Sequence, residues 1–110
     1  MKYRRLGKTN FEISEVSLGT WQLGEGWGSV SDEDAVRVLQ AALDHGINFF
    51  DTADVYGDGR SERFIAQVLA KQTEKIYVAT KASRFPNAPR NIIPRRYRRR
   101  NTLVPDFAVA

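Results

Sequence analysis

Asn48 to Glu62, NFFDTADVYGDGRSE, is the stretch whose reading decides the fold. A short apolar run, Ile47, Phe49 and Phe50, stops at Asp51. A polar, glycine-bearing loop follows, and Ser61 offers a fresh helix start. This is the pattern of a strand that ends in a working loop.

Upstream, Lys2–Leu6 and Phe11–Ser14 flank the turn Gly7-Lys8-Thr9-Asn10 and read as a short β-hairpin. Ser17–Thr20 follows as a brief strand. The loop from Trp21 to Val30 carries Gly24, Gly26 and Gly28, but their spacing is not the G-x-G-x-x-G of a dinucleotide turn and no helix opens directly after them, so a flexible loop is expected. Ser31 then stands as an N-cap, Asp34 takes the place of a capping-box acid, and Asp32 and Glu33 suit the positive helix end. Ala35, Val38, Leu39, Ala42 and Leu43 recur at helical spacing and define one buried stripe. Gly46 ends this helix as a left-handed cap. His45, the one histidine, is given a structural role in the last turn, bonding free carbonyls.

Asn48–Phe50 is the second strand. A second helix runs from Ser61 to about Lys71 with Phe64, Ile65, Val68 and Leu69 on its apolar side, and Lys75–Thr80 is a third strand. Alternation of strand and helix is the rhythm of βαβ units on a parallel sheet. The fold class read from it is α/β: an incomplete (β/α)8 TIM barrel with an N-terminal hairpin, three strands and two helices. A complete barrel takes about 250 residues, and the sequence here has 110.

Thr20, Asp51 and Lys81 each stand at the carboxyl end of a strand in this reading, and Tyr56 lies in the loop after the second. That is the face on which barrel enzymes keep their sites. A phenol is a weak acid, with an ordinary pKa near 10, and can protonate a carbonyl oxygen only if its anion is stabilised. An ammonium at Lys81 near the Tyr56 hydroxyl would do this, and Asp51 would keep that ammonium charged and aimed.

Taken with Trp21 before it and Lys81 after it, FFDTADVYGDGRSE resembles the signature of the aldo-keto reductase family over about residues 1–82. The resemblance implies reduction of an aldehyde or ketone with NADPH, with Tyr56 as proton donor and Asp51 and Lys81 in support. It puts Thr20, Trp21 and Asp51 at the nicotinamide end of the cofactor, and Trp21 and Tyr56 at a small carbonyl substrate. No metal is expected. In that family a histidine at the end of a fourth strand completes the site, and the cofactor's phosphates and adenine are held by the last strands and the helices after them. No residue here matches those parts.

Composition divides the chain. Residues 1–85 carry 11 Lys+Arg against 12 Asp+Glu, and residues 86–110 carry 6 Arg against 1 Asp, so the whole basic excess sits in the tail. Pro86, Pro89, Pro94 and Pro105 surround Arg95, Arg96, Arg98, Arg99 and Arg100, with no apolar stripe to dock a helix. The boundary is accordingly drawn at 85, with 86–110 expected to lack regular structure. Two origins are open. Arginine triplets read one nucleotide later give glutamates, so a frame slip near Asn87–Asn91 would turn the acidic start of a further helix into this run; a natural short gene or a fragment is the other. In either case the chain as written is expected to be truncated and inactive. An alternative function from a different class is a basic arm for nucleic acid or other polyanions, with Tyr97 for stacking; basic runs are commonly just solvated, which ranks it second. No apolar run is long enough to span a membrane, cysteine is absent and no leader pattern opens the chain, so a cytoplasmic place is expected.

Overall fold

The computed structural model describes residues 1–24, 28–81 and the backbone of 107–109. Strands β1 (Tyr3–Arg5) and β2 (Glu12–Ser14) form the hairpin, pairing antiparallel in the register Tyr3↔Ser14, Arg4↔Ile13 and Arg5↔Glu12. Next come β3 (Leu18–Gly19), a 3-10 turn over Trp21–Gly24, α1 (Asp32–Asp44), β4 (Phe49–Asp51), α2 (Arg60–Leu69), β5 (Tyr77–Thr80) and β6 (Phe107–Val109). One parallel sheet holds the last four strands in the order β3-β4-β5-β6.

Strand β6 corrects the expectation for the tail. Residues 107–109 add a fourth strand beside β5, pairing Val78↔Phe107, Ala79↔Ala108 and Thr80↔Val109. The arginine-rich run and the prolines lie outside the described residues.

α1 starts where the capping signals place it: the Ser31 hydroxyl accepts the Asp34 N–H at 3.1 Å. It ends in a full left-handed cap, with Gly46 at φ +81°, its N–H on Leu43 O (2.8 Å) and the Ile47 N–H on Ala42 O (3.0 Å). His45 Nδ1 lies 2.7 Å from Ala41 O, the carbonyl-binding role expected of it. Substituting His45 by alanine should therefore cost about 0.5–1.5 kcal/mol, read as a small fall in thermal midpoint. The stripe holds at Ala35, Leu39 and Ala42, which are buried, but Val38 is 45% exposed and Val36 packs on the core in its place. The helix is rolled a little from the face the periodicity alone defines.

α2 begins one residue earlier than the sequence reading puts it. Gly59, at φ +83°, is its N-cap and supplies no side-chain bond, while Ser61 is already inside the first turn and fully buried. Phe64, Ile65 and Val68 are buried, and Leu69 packs at the margin.

Registers Leu18↔Phe50 and Phe50↔Val78 set three apolar residues in a row toward the helices. Phe50 and Val78 close a core with Leu39, Ile65, Ala35, Phe64 and Val68. The neighbouring pair, Phe49↔Tyr77, points to the other side of the sheet by strand alternation. There Phe11 packs on Tyr77 with ring centroids 4.8 Å apart. Asn48 joins the hairpin to the sheet: its side chain accepts from Ser14 N–H (2.7 Å) and donates to Glu12 O (3.0 Å), and its carbonyl accepts from Tyr77 N–H (2.8 Å). The hairpin thus sits at the amino end of the strands. The carboxyl end is left for the loops that carry Trp21, Tyr56 and Lys81.

Candidate active site

Parallel pairing brings the three strand ends level. Gly19↔Asp51 and Asp51↔Ala79 are register partners, so Thr20, Asp51 and Lys81 follow at the same edge. The ladder runs on into the loop, with Thr52 N–H on Ala79 O (2.8 Å) and Asp54 N–H on Lys81 O (3.1 Å). Lys81 is thereby held by backbone as well as by side chain.

The Lys81 ammonium donates to Asp51 Oδ1 at 2.6 Å and to the Thr52 carbonyl at 3.1 Å, and lies 5.5 Å from the centroid of the Tyr56 ring. The hydrogen bond that Lys81 donates to Asp51 holds the lysine above its ordinary value of 10.5; partial burial opposes this, and the charges of Asp51 and Tyr56 add to it. Both members of the ion pair are nearly half exposed, at 45% and 44%, so the pair does little for stability. What it does is hold the ammonium beside the Tyr56 ring. Tyr56 is fixed by its own backbone, its N–H on Ala53 O (3.2 Å) and its carbonyl accepting from Ser61 N–H (3.2 Å).

Thr20 has no exposed surface. Its hydroxyl donates to the Asp51 carbonyl at 2.9 Å, and its N–H meets the same oxygen at 3.0 Å. Its part in this arrangement is to set Asp51 in place from behind. Trp21, 44% exposed, stands at the rim. The residues grouped from the sequence lie together at this edge, but the sequence reading misses the frame beneath them. Ser61 Oγ donates to Thr20 Oγ1 at 2.8 Å and shares a hydrogen bond with Thr52 Oγ1 at 2.9 Å, so one buried hydroxyl ties α2 to the ends of β3 and β4. Glu62 does the same for β5, accepting from the Thr80 hydroxyl at 2.6 Å. The signal was available: polar Arg60-Ser61-Glu62 opens a helix that is otherwise apolar on its inner side.

Asp54, in the same loop, has its carboxyl raised above the ordinary 3.8 by burial, against the pull of hydrogen bonds from the Val55 and Asp54 N–H groups. The fold therefore favours the protonated acid, a contribution present below pH 3.8 and lost as pH rises through the higher folded value. Asp54→Asn should raise the melting temperature at pH 7 and change it less near pH 3. A lower melting temperature at pH 7 would show the carboxylate to be a needed hydrogen-bond acceptor.

These residues set the terms for a nicotinamide cofactor. An exposed indole and a half-exposed carboxylate at the strand ends fit the ring end of such a molecule. Among the described residues near this face Lys81 is engaged by Asp51, Arg60 by Asp32 and Arg63 by the Asp58 carbonyl, so none is set aside for the cofactor's phosphates. The fit is to the nicotinamide end alone.

A model of the aldo/keto reductase family matches residues 15–103, and the chain belongs to that family. The match reaches past residue 82, where the resemblance drawn from the sequence stops. The aldo-keto reductase YhdN of Bacillus subtilis is 34% identical over 86 residues, which are 76% of this chain and 26% of that protein. Among solved structures, the holo form of an aldo-keto reductase from Bacillus halodurans superposes with a TM-score of 0.68 at 32% identity, over 81% of this chain and 28% of that one. An aldo-keto reductase from Klebsiella pneumoniae in complex with NADPH gives 0.55 at 29% identity, over 63% and 24%. The chain spans about a quarter of the length of the curated relatives it matches. These neighbours share the TIM-barrel fold, of which the described residues form the strand-and-helix portion around Asp51. No helix among them is long and apolar enough to cross a membrane.

Proposed function

We propose that these residues are the proton-donor side of an NADPH-dependent carbonyl reductase acting in the cytoplasm on a small aldehyde or ketone. The observation that carries the reading is the Lys81 ammonium, 2.6 Å from Asp51 Oδ1 and 5.5 Å from the Tyr56 ring centroid. A bound nicotinamide cofactor supplies hydride to the carbonyl carbon. Tyr56 gives its hydroxyl proton to the carbonyl oxygen, and the Lys81 charge stabilises the phenolate left behind. Asp51 aims the lysine, Thr20 and Ser61 hold Asp51 and Thr52 at the strand ends, and Trp21 forms part of the substrate wall. Trp21 and Asp51 are the residues assigned to the nicotinamide; Thr20, fully buried with its hydroxyl on the Asp51 carbonyl, takes a supporting part in place of the cofactor contact that the resemblance implies.

Turnover is proposed for these residues within a complete barrel. The test is a hybrid in which residues 1–82 replace the matching part of Bacillus subtilis YhdN. Oxidation of NADPH with simple aromatic aldehydes is the expected result. A hybrid that folds and binds NADPH yet turns over none of them would overturn the reading.

A further inference from the structure

One of the glycines in the Trp21–Val30 loop has a use that nucleotide binding does not explain. A β-carbon on Gly24 would stand 2.5 Å from the Gly57 amide nitrogen and 2.8 Å from the Tyr56 Cα, closer than real β-carbons come. Reciprocally, one on Gly57 would meet Gly24 Cα and O at 2.8 Å and Arg60 Cβ at 2.9 Å, and Gly57 itself sits at φ +61°. The two loops therefore touch backbone to backbone, and only glycine on each side permits it.

Arg60 fastens this contact. Its guanidinium donates to Leu23 O at 2.7 Å, to Val30 O at 2.6 Å and to Asp32 Oδ1 at 2.9 Å, and lies 4.8 Å from the Phe64 ring centroid. Leu23 and Val30 stand on opposite sides of residues 25–27, so one side chain grips the loop on both its arms. That side chain is 15% exposed, while its partner Asp32 is 83% exposed. An exposed acid adds little, and the two carbonyls are what the buried guanidinium is needed for. Leu23, buried in the core, anchors the same arm from below.

We propose that Arg60 is a positioning residue: with the Gly24–Gly57 contact it locks the Trp21 loop onto the Tyr56 loop and so fixes how far the substrate-wall indole stands from the proton-donating phenol. The roles of Trp21 and Tyr56 are those of the reductase reading, on which this rests. Arg60 acts through Leu23 and Val30 and touches no reactant.

The test reads Trp21 directly. In the full 110-residue chain carrying Trp27→Phe, so that Trp21 is the sole indole, acrylamide quenching of its fluorescence is compared with Arg60→Met, Arg60→Lys and Gly24→Ala, and with Arg37→Met as a surface control. All three site variants are expected to raise the quenching constant about twofold while the control leaves it unchanged. Lysine is expected to fail as a rescue, because one compact ammonium lacks the planar fork that serves both carbonyls. Unchanged quenching in Arg60→Lys or Gly24→Ala with a native far-UV spectrum overturns the proposal, as does an equal rise in Arg37→Met. Should Arg60→Met lose its far-UV spectrum, Arg60→Lys decides. Loss of fold there too would make Arg60 a residue of the global fold and also overturn the proposal. No substrate or turnover enters the measurement, so its failure leaves the reductase reading standing, and an inactive hybrid leaves this inference untouched.

Discussion

Tyr56→Phe, introduced into the hybrid with YhdN, is expected to lower kcat by about 10²- to 10⁴-fold, the range that a positioned general acid contributes, with NADPH affinity held. The substitution removes one oxygen. The phenyl ring stays where the Ala53 and Ser61 backbone contacts put it, and Lys81 keeps both of its acceptors, Asp51 Oδ1 and Thr52 O. What is lost is the proton for the carbonyl oxygen, so the cost falls in the transition state and not in ground-state binding. Stopped-flow NADPH oxidation, together with a fluorescence titration of the cofactor, separates the two. Most of the rate surviving would mean that another residue or water delivers the proton. The same hybrid carrying His45→Ala should keep its rate, since that ring is spent on Ala41 O at the far end of α1.

The fold was legible where its causes are local. Ser31 with its following acids, Gly46 at the helix end and the break at Asp51 each act within a few residues, so each reads correctly from sequence. The misreadings share a different cause. Ser61 reads as a fresh helix start because it is polar and closes a glycine-bearing loop. But Gly57, Asp58 and Gly59 all take positive φ, which turns the chain early and starts α2 at Arg60. The Ser61 hydroxyl is then carried inward to Thr20, 41 positions away. No local pattern contains that partner. Val38 and Val36 flank the same buried line on α1, and which of them the core accepts depends on how the helix is rolled against α2 and the sheet, a tertiary fact.

The site was legible for a related reason. In a parallel sheet all strand ends face the same way, so residues that follow successive strands must converge, and Thr20, Asp51 and Lys81 could be grouped from the strand pattern. The sequence could not show the depth at which each stands. Thr20 lies buried beneath Asp51, and Trp21, the next residue, is at the rim. Nor could it show Arg60 reaching Leu23 and Val30, because its acceptors there are backbone carbonyls, which every residue has. Strand β6 was missed because its three residues follow a long Arg- and Pro-rich run whose composition gives no strand signal.

Lys81→Met in the hybrid should cost nearly as much as loss of the phenol, and comparison with Asp51→Asn tells why. A unit charge 5.5 Å from the centroid of the ring on which the phenolate develops, at an effective dielectric of about 20, is worth about 3 kcal/mol, which is about 10²-fold in rate. Methionine fills the same space and removes that charge entirely. Asparagine at 51 removes only the partner. Since the ordinary value for lysine, 10.5, is far above neutrality, Lys81 remains an ammonium at pH 7 and loses chiefly its aim. The expected fall is about tenfold, the worth of one charge-assisted hydrogen bond. The pH profile carries a second signature. The bond to Asp51 raises Lys81, so the parent's charge on this group is fully present below 10.5 and is lost as pH rises through the higher folded value. In Asp51→Asn the alkaline limb set by loss of the lysine charge should move to lower pH, and in Lys81→Met that limb should be gone, leaving only the fall set by ionisation of the Tyr56 proton donor itself. If Asp51→Asn proves as damaging at pH 7 as Lys81→Met, the carboxylate has a direct part in the chemistry and the supporting role given to it here is wrong.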